Sequence, residues 1–128
     1  MPRLIQIALL ASLLALAFSL NSCNALALTG AKKYKVDLSN ILLALKADIE
    51  NNGEVSDKNL SKLEGFLAKH REEFSTKGSF MRASEALTEI RTARDEYAAG
   101  RNGFMNYQAA KQLIFQTQDM LKTEVKDD

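Results

Sequence analysis

Residues 37–74 read DLSNILLALKADIENNGEVSDKNLSKLEGFLAKHREEF, and this stretch decides the fold class. Apolar side chains recur in it at spacings of three and four, which is the period of one face of a helix. Asp37 precedes the first set as a candidate N-cap, Asn51-Asn52-Gly53 supplies a stop, and Val55-Ser56 offers the cap of a second helix. The stretch therefore predicts two helices joined by a short turn. Their apolar positions are Leu38, Ile41, Leu42, Leu45 and Ile49, then Leu60, Leu63, Leu67, His70 and Phe74.

The same spacing occurs twice more toward the C-terminus. Lys77-Gly78 predicts a turn, Ser79 is the expected cap of a third helix, and Ala98-Ala99-Gly100 closes it. Asn102-Gly103 opens a fourth helix, whose apolar stripe fades after Leu121. Connections this short return each helix antiparallel to its predecessor. The sequence predicts an all-α protein, an up-down-up-down four-helix bundle over residues 37–125 with a tail at 126–128.

The N-terminus has the features of a processing signal. Arg3 is followed by an apolar run from Leu4 to Leu20, so we predict a signal peptide over residues 1–22. Leu20-Asn21-Ser22-Cys23 resembles the bacterial lipobox, which implies a lipid attached to Cys23 after cleavage. Residues 23–36 are then expected to form a lipidated tether that anchors the domain to a membrane. Cleavage at Ala25-Leu26-Ala27 is the alternative, and it would release a soluble protein without Cys23.

Composition argues against most kinds of chemistry. The chain has one Cys, one His and no Trp, which excludes an internal disulfide framework and a Cys/His zinc site. It has 17 Lys and Arg against 16 Asp and Glu, and Arg3 is the only charge before Cys23, so the mature side chains balance. That balance gives no electrostatic basis for binding nucleic acid. His70 is expected to be a partly buried side chain and not a metal ligand. From this composition we predict that the protein is not an enzyme and has no catalytic residue, no metal and no cofactor apart from the lipid.

The third helix and its end carry two candidate features. Glu85 and Glu89 lie one turn apart, but nearby arginines favour a solvated ion-paired face over paired catalytic acids. A cluster of aromatic and polar side chains follows at the end of the predicted bundle, and these residue types are enriched at protein interfaces. We predict that this cluster binds a partner protein. Its members are Tyr97, Arg101, Asn102, Phe104 and Tyr107.

Several short motifs occur in an order and spacing typical of one family. After Cys23 come Leu28-Thr29-Gly30 and then Tyr34 and Asp37, followed in the body of the chain by Leu45-Lys46-x-x-Ile49, Phe66-x-Ala68-x-x-Arg71, Ser79-Phe80-Met81, Ala86-Leu87, Tyr97 and Phe115. In these motifs the chain resembles the photosystem II assembly and repair lipoproteins of the subunit twenty-seven family, four-helix proteins of the thylakoid lumen. The proline-containing connection that the family has before its last helix is replaced here by Gly100-Arg101-Asn102-Gly103.

The resemblance implies a non-catalytic factor on the lumenal side of the thylakoid membrane. Such a factor docks on immature photosystem II, chiefly on the lumenal loop of the inner antenna protein CP43, before the manganese cluster is built. We expect a lipid-anchored monomer whose partners are photosystem II core subunits. One alternative is an extrinsic photosystem II lipoprotein related to PsbQ, which Asn102-Gly103 and Tyr107-Gln108-Ala109 also resemble. The other is a binding module on the periplasmic face of the plasma membrane, unrelated to photosynthesis.

Overall fold

The computed structural model describes residues 30–125, in which four helices and no strand occur. The helices are α1 (Gly30–Asn52), α2 (Asp57–Phe74), α3 (Gly78–Ala98) and α4 (Phe104–Glu124), and they make up 86% of the described residues. The all-α prediction is confirmed, and so are the four helices. The predicted signal peptide, Cys23 and the tail at 126–128 lie outside the described residues. No helix within residues 30–125 is both long enough and apolar enough to cross a membrane.

Local signals set most of the helix ends, as predicted. Gly53 follows α1 and Gly100 follows α3, and both have a positive φ, 74° and 77°, that only glycine adopts without strain. Ser56 caps α2, since its side chain accepts a hydrogen bond from the backbone N–H of Asn59. The stops after α1 and α3 and the cap of α2 are therefore confirmed.

One apolar stripe from each helix forms the core. The predicted stripe positions are mostly buried, and α3 adds small residues that let the neighbouring helices approach closely. Helices α3 and α4 have the most extensive contact, and α2 also packs against α3. Fully buried side chains include Tyr34, Leu38, Leu42 and Leu45 of α1, Leu63 of α2, Ile90 of α3, and Ile114, Thr117 and Leu121 of α4.

Hydrogen bonds between distant residues show which helix ends lie together. The Tyr34 hydroxyl near the start of α1 is 2.9 Å from the Ser79 hydroxyl at the start of α3. The Lys35 ammonium, also in α1, donates to the carbonyl of Val125 just after α4. At the other ends, the backbone N–H of Val55 before α2 donates to the Tyr107 hydroxyl in the first turn of α4.

The start of α1 differs from the prediction. The helix begins at Gly30, so residues 30–36, expected as tether, are helical, and Asp37 lies inside the helix and does not cap it. Tyr34 explains the difference: it is fully buried, its ring stacks on Phe74 with centroids 4.1 Å apart, and it extends the apolar stripe by one turn. In the sequence, Lys33 and Lys35 flank Tyr34, so this additional turn of the apolar stripe was not predicted.

The predicted cap of α3 is also wrong. The helix begins at Gly78, Ser79 is fully buried within it, and the Ser79 hydroxyl is engaged by Tyr34. The N–H of Ser79 donates instead to the Glu124 carboxylate, 3.0 Å away at the end of α4. A negative charge at a helix N-terminus also interacts favourably with the helix dipole. The cap of α3 is therefore supplied by a residue 45 positions away.

Candidate functional site

The connection between α3 and α4 holds the predicted partner-binding residues. It is a tight connection because Gly103 lies directly on α3: a Cβ built on Gly103 would be 2.3 Å from the carbonyl oxygen of Ala93. Gly100 supplies the positive φ that reverses the chain. These two glycines fix the position of Phe104 at the start of α4.

Asn102 organises this connection. Its Oδ1 accepts a hydrogen bond from the backbone N–H of Phe104 at 2.9 Å and another from the Tyr97 hydroxyl at 3.3 Å. The first bond satisfies one of the free N–H groups at the start of α4, and the second ties the last turn of α3 to the connection. Both hydrogen bonds therefore end on the same amide oxygen, and the side chains of Tyr97 and Phe104 are 42% and 52% exposed.

Arg101 is exposed but already paired. Its Nε lies 2.7 Å from one carboxylate oxygen of Glu96 and its Nη2 lies 3.1 Å from the other, a bidentate geometry. This pairing lowers the pKa of Glu96 and raises that of Arg101. A partner protein would meet Arg101 as part of an ion pair and not as a lone cation.

Tyr107 lies beneath the other members. It is only 1% exposed, its hydroxyl accepts from the backbone N–H of Val55, and its ring stacks on Tyr97 with centroids 6.0 Å apart. Burial raises its pKa, which the hydrogen bond from Val55 only partly offsets. Tyr107 therefore supports Tyr97 from below and offers no contact area, whereas Tyr97, Arg101, Asn102 and Phe104 reach the surface.

Sequence reasoning missed Met105 as a surface residue. Met105 is not among the predicted partner-binding residues, yet it is 73% exposed and follows Phe104 in the chain. The signal was present, because Met105 does not fit the spacing of the α4 stripe that runs through Tyr107, Ala110 and Ile114. We refer to the exposed side chains of Tyr97, Phe104 and Met105 as the turn surface.

The predicted ion-paired interpretation of Glu85 is confirmed. Arg82 binds Glu85 at 2.8 Å, and on the face between α2 and α3, Arg91 pairs with Glu64 and Arg94 pairs with Asp57. Glu89 takes a different partner, since it accepts from the side-chain amide of Asn106 at 3.0 Å. Glu85 and Glu89 are thus each engaged separately.

His70 lies among aromatic side chains. Its ring centroid is 4.4 Å from that of Phe66, 5.8 Å from that of Phe74 and 6.1 Å from that of Tyr34. Within residues 30–125, no three His, Cys, Asp or Glu side chains are grouped as a metal site would require. The His70 ring is therefore placed as a packing element at the edge of the core.

No protein-family model matches the chain, and neither a curated protein nor a solved structure matches it.

Proposed function

We propose that this chain is a non-catalytic docking protein that acts in the assembly or repair of photosystem II. The observation that carries the docking role is the turn surface. Two aromatic rings and a methionine stand exposed in the last turn of α3 and the first turn of α4, on either side of a connection that the close approach of Gly103 and the hydrogen bonds of Asn102 position. Aromatic and methionine side chains are among the residue types enriched at protein interfaces, so exposed ones grouped at one end of a helix pair can serve as anchors for a partner.

In this proposal the helices run up-down-up-down. The bonds from Tyr34 to Ser79 and from Lys35 to Val125 support this order, since they join the starts of α1 and α3 to the end of α4. The bond from Val55 to Tyr107 supports it from the opposite end. The turn surface then lies at the end of the bundle away from Tyr34.

The resemblance to the photosystem II assembly family provides the partner. Three residues that carry it, far apart in the chain, contact one another in the fold: Tyr34 stacks on Phe66 and hydrogen-bonds to Ser79. This convergence supports the resemblance because the motif positions act together in packing. The partner is then the lumenal side of immature photosystem II, chiefly the lumenal loop of CP43.

The proposed mechanism is occupancy. The protein covers a lumenal surface of the immature complex until the mature lumenal subunits replace it, and no bond is made or broken. A lipid on Cys23, after removal of the signal peptide, would confine the protein to the thylakoid membrane and raise its effective concentration near that surface.

The test is co-purification from detergent-solubilised native membranes, using the tagged full-length protein. Phe104→Ala combined with Met105→Ala should reduce recovery of photosystem II subunits at least tenfold, since interface anchors typically contribute more than 1 kcal/mol each and tenfold corresponds to about 1.4 kcal/mol. Met81→Ala is the matched control, because Met81 is 52% exposed, as Phe104 is, but lies at the start of α3. Circular dichroism should show unchanged helix content in all variants.

The recovered complexes decide between the candidates. Photosystem II lacking its mature extrinsic subunits, together with an acylated Cys23 in mass spectra, is the expected result. Fully active complexes would favour the PsbQ-like alternative instead. Absence of every photosystem II subunit would refute the assignment to photosynthesis and leave the periplasmic binding module, and equal recovery with the double variant would refute the turn surface as the docking site.

A further inference from the structure

A second surface lies between α1 and α4, outside the turn surface. It is an open groove with a volume of about 520 Å³. Residues spaced by three and four on α4 form one wall, and the last two turns of α1 form the other. The lining residues are Lys46, Glu50, Gln108, Lys111, Gln112, Phe115 and Gln116.

The charges of this groove are unbalanced. Lys46 and Lys111 approach the same carboxylate oxygen of Glu50, at 4.0 and 3.4 Å. Because Glu50 is the one acidic residue among the lining side chains, two ammonium groups share a single carboxylate and one positive charge is in excess. On the face between α2 and α3 the situation differs, since Arg91 and Arg94 each have a carboxylate of their own.

The rest of the groove is neutral and partly apolar. Phe115 is 70% exposed, the largest exposed fraction of an aromatic side chain among the described residues. Gln108, Gln112 and Gln116 follow one another at intervals of one helical turn, and their amides can donate to and accept from a polypeptide backbone. Each kind of group can make a different interaction with a ligand. The aromatic ring offers apolar contact, the amides can hydrogen-bond to a polypeptide backbone, and the excess positive charge attracts an anion.

We infer that this groove binds a polypeptide segment of a partner protein that carries a carboxylate next to an apolar side chain. The carboxylate lies between Lys46 and Lys111 and neutralises the excess charge, while the apolar side chain packs on Phe115. Charge complementarity of this kind sets both the association rate and the choice of partner. The inference does not depend on the proposed role in photosystem II, because it rests on the groove alone.

The test uses peptides whose sequences are not chosen in advance. The full-length protein in detergent is offered a phage library of random linear peptides, and an enriched peptide is synthesised for affinity measurements by fluorescence anisotropy. Enriched peptides should share an Asp or Glu within a few positions of a Leu, Ile or aromatic residue. Lys111→Glu and Phe115→Ala should each weaken binding about tenfold or more, as loss of an interface charge or an aromatic anchor does.

Four further variants make the result specific to the groove. Glu50→Gln removes the competing carboxylate and should tighten binding several-fold, an effect that general damage to the fold would not produce. Lys58→Glu on α2 and Met81→Ala on α3 change an exposed charge and an exposed apolar side chain elsewhere, and should leave affinity unchanged. Tyr97→Ala should also leave it unchanged, because Tyr97 belongs to the turn surface and lies away from Gln108 and Gln112 of the groove, so this variant separates the two surfaces.

The inference is overturned by any of three results. These are enrichment of peptides without acidic residues, unchanged affinity in both groove variants, and no enrichment at all. A peptide in which Lys replaces the acidic residue should lose binding to the native protein and regain it with Lys111→Glu. Failure of that exchange would show that the carboxylate does not meet Lys111.

Discussion

Replacing Gly103 with alanine should destabilise the protein through steric overlap alone. Gly103 has φ −92° and ψ 9°, values open to any L-residue, so the backbone conformation itself does not require glycine. The obstacle is the Ala93 carbonyl, whose oxygen would lie 2.3 Å and whose carbon would lie 2.9 Å from the new Cβ. Restoring a normal contact distance requires a separation of roughly 1 Å between α3 and the connection that follows it.

The expected magnitude follows from what has to move. Both sides of the overlap are backbone, so no side-chain rotation relieves it, and overpacking of this kind costs roughly 1–3 kcal/mol. We expect Gly103→Ala at the upper end of that range. For a domain of this size each kcal/mol corresponds to about 4–8 °C in Tm, so Tm should fall by roughly 10–20 °C.

Gly65→Ala is the matched control for this measurement. Gly65 lies inside α2 with nothing within 4 Å of its built Cβ, so alanine should gain helix propensity there without a clash. The gain is expected to be about 1 kcal/mol. Thermal unfolding followed by circular dichroism compares the two variants with the native protein. A Gly103→Ala protein as stable as the native one would refute the close approach of α3 to the connection.

Three further results are expected from hydrogen-bonded polar side chains. Tyr34→Phe and Ser79→Ala should each cost about 1–3 kcal/mol, because each leaves a buried hydroxyl unpaired, and the double variant should cost less than the sum in urea unfolding. Burial alone would raise the pKa of Asp48, but hydrogen bonds led by the N–H of Ser56 outweigh burial and lower the pKa. The ionised Asp48 therefore stabilises the folded state. This stabilisation is complete above the unfolded pKa of about 4 and is lost as the pH falls through the folded pKa. Asp48→Asn should therefore reduce the loss of stability as the pH falls below about 4, and an unchanged acid profile would contradict it. Burial raises the pKa values of Tyr34 and Tyr107, so the folded state resists their ionisation. The free energy of unfolding should therefore fall as the pH rises above about 10. Tyr107→Phe should show a smaller fall when the free energy of unfolding is measured over alkaline pH.

The sequence predicted most of the helix ends because the signals for them are local. Gly53 and Gly100 adopt the positive φ expected of a helix stop, and Ser56 bonds to an N–H three residues ahead. Such interactions involve only neighbouring residues, so they can be inferred without knowing the tertiary structure. The same holds for the apolar stripes, whose period is a property of the helix alone.

The sequence predicted where in the chain the candidate site lies, but not which of its side chains are exposed. The sequence places Tyr97, Phe104 and Tyr107 within a few residues of one another, and in the structure the rings of Tyr97 and Tyr107 stack while Phe104 is half exposed at the start of α4. Burial of the Tyr107 ring involves the connection between α1 and α2, where the backbone N–H of Val55, 52 positions away, donates to the Tyr107 hydroxyl. No local pattern contains that partner.

The amino-acid sequence by itself determined the helical class, the number of helices and the connections between them, because helix period, caps and glycine stops act over a few residues. Tertiary structure alone decided the roles of the long-range pairs. Tyr34 is a core residue because its ring stacks on Phe74 and its hydroxyl hydrogen-bonds to Ser79. Glu124 caps the start of α3 because the end of α4 lies beside it. The α1–α4 groove is of the same kind: Lys46, Glu50 and Lys111 share a charge only after two helices distant in sequence pack side by side.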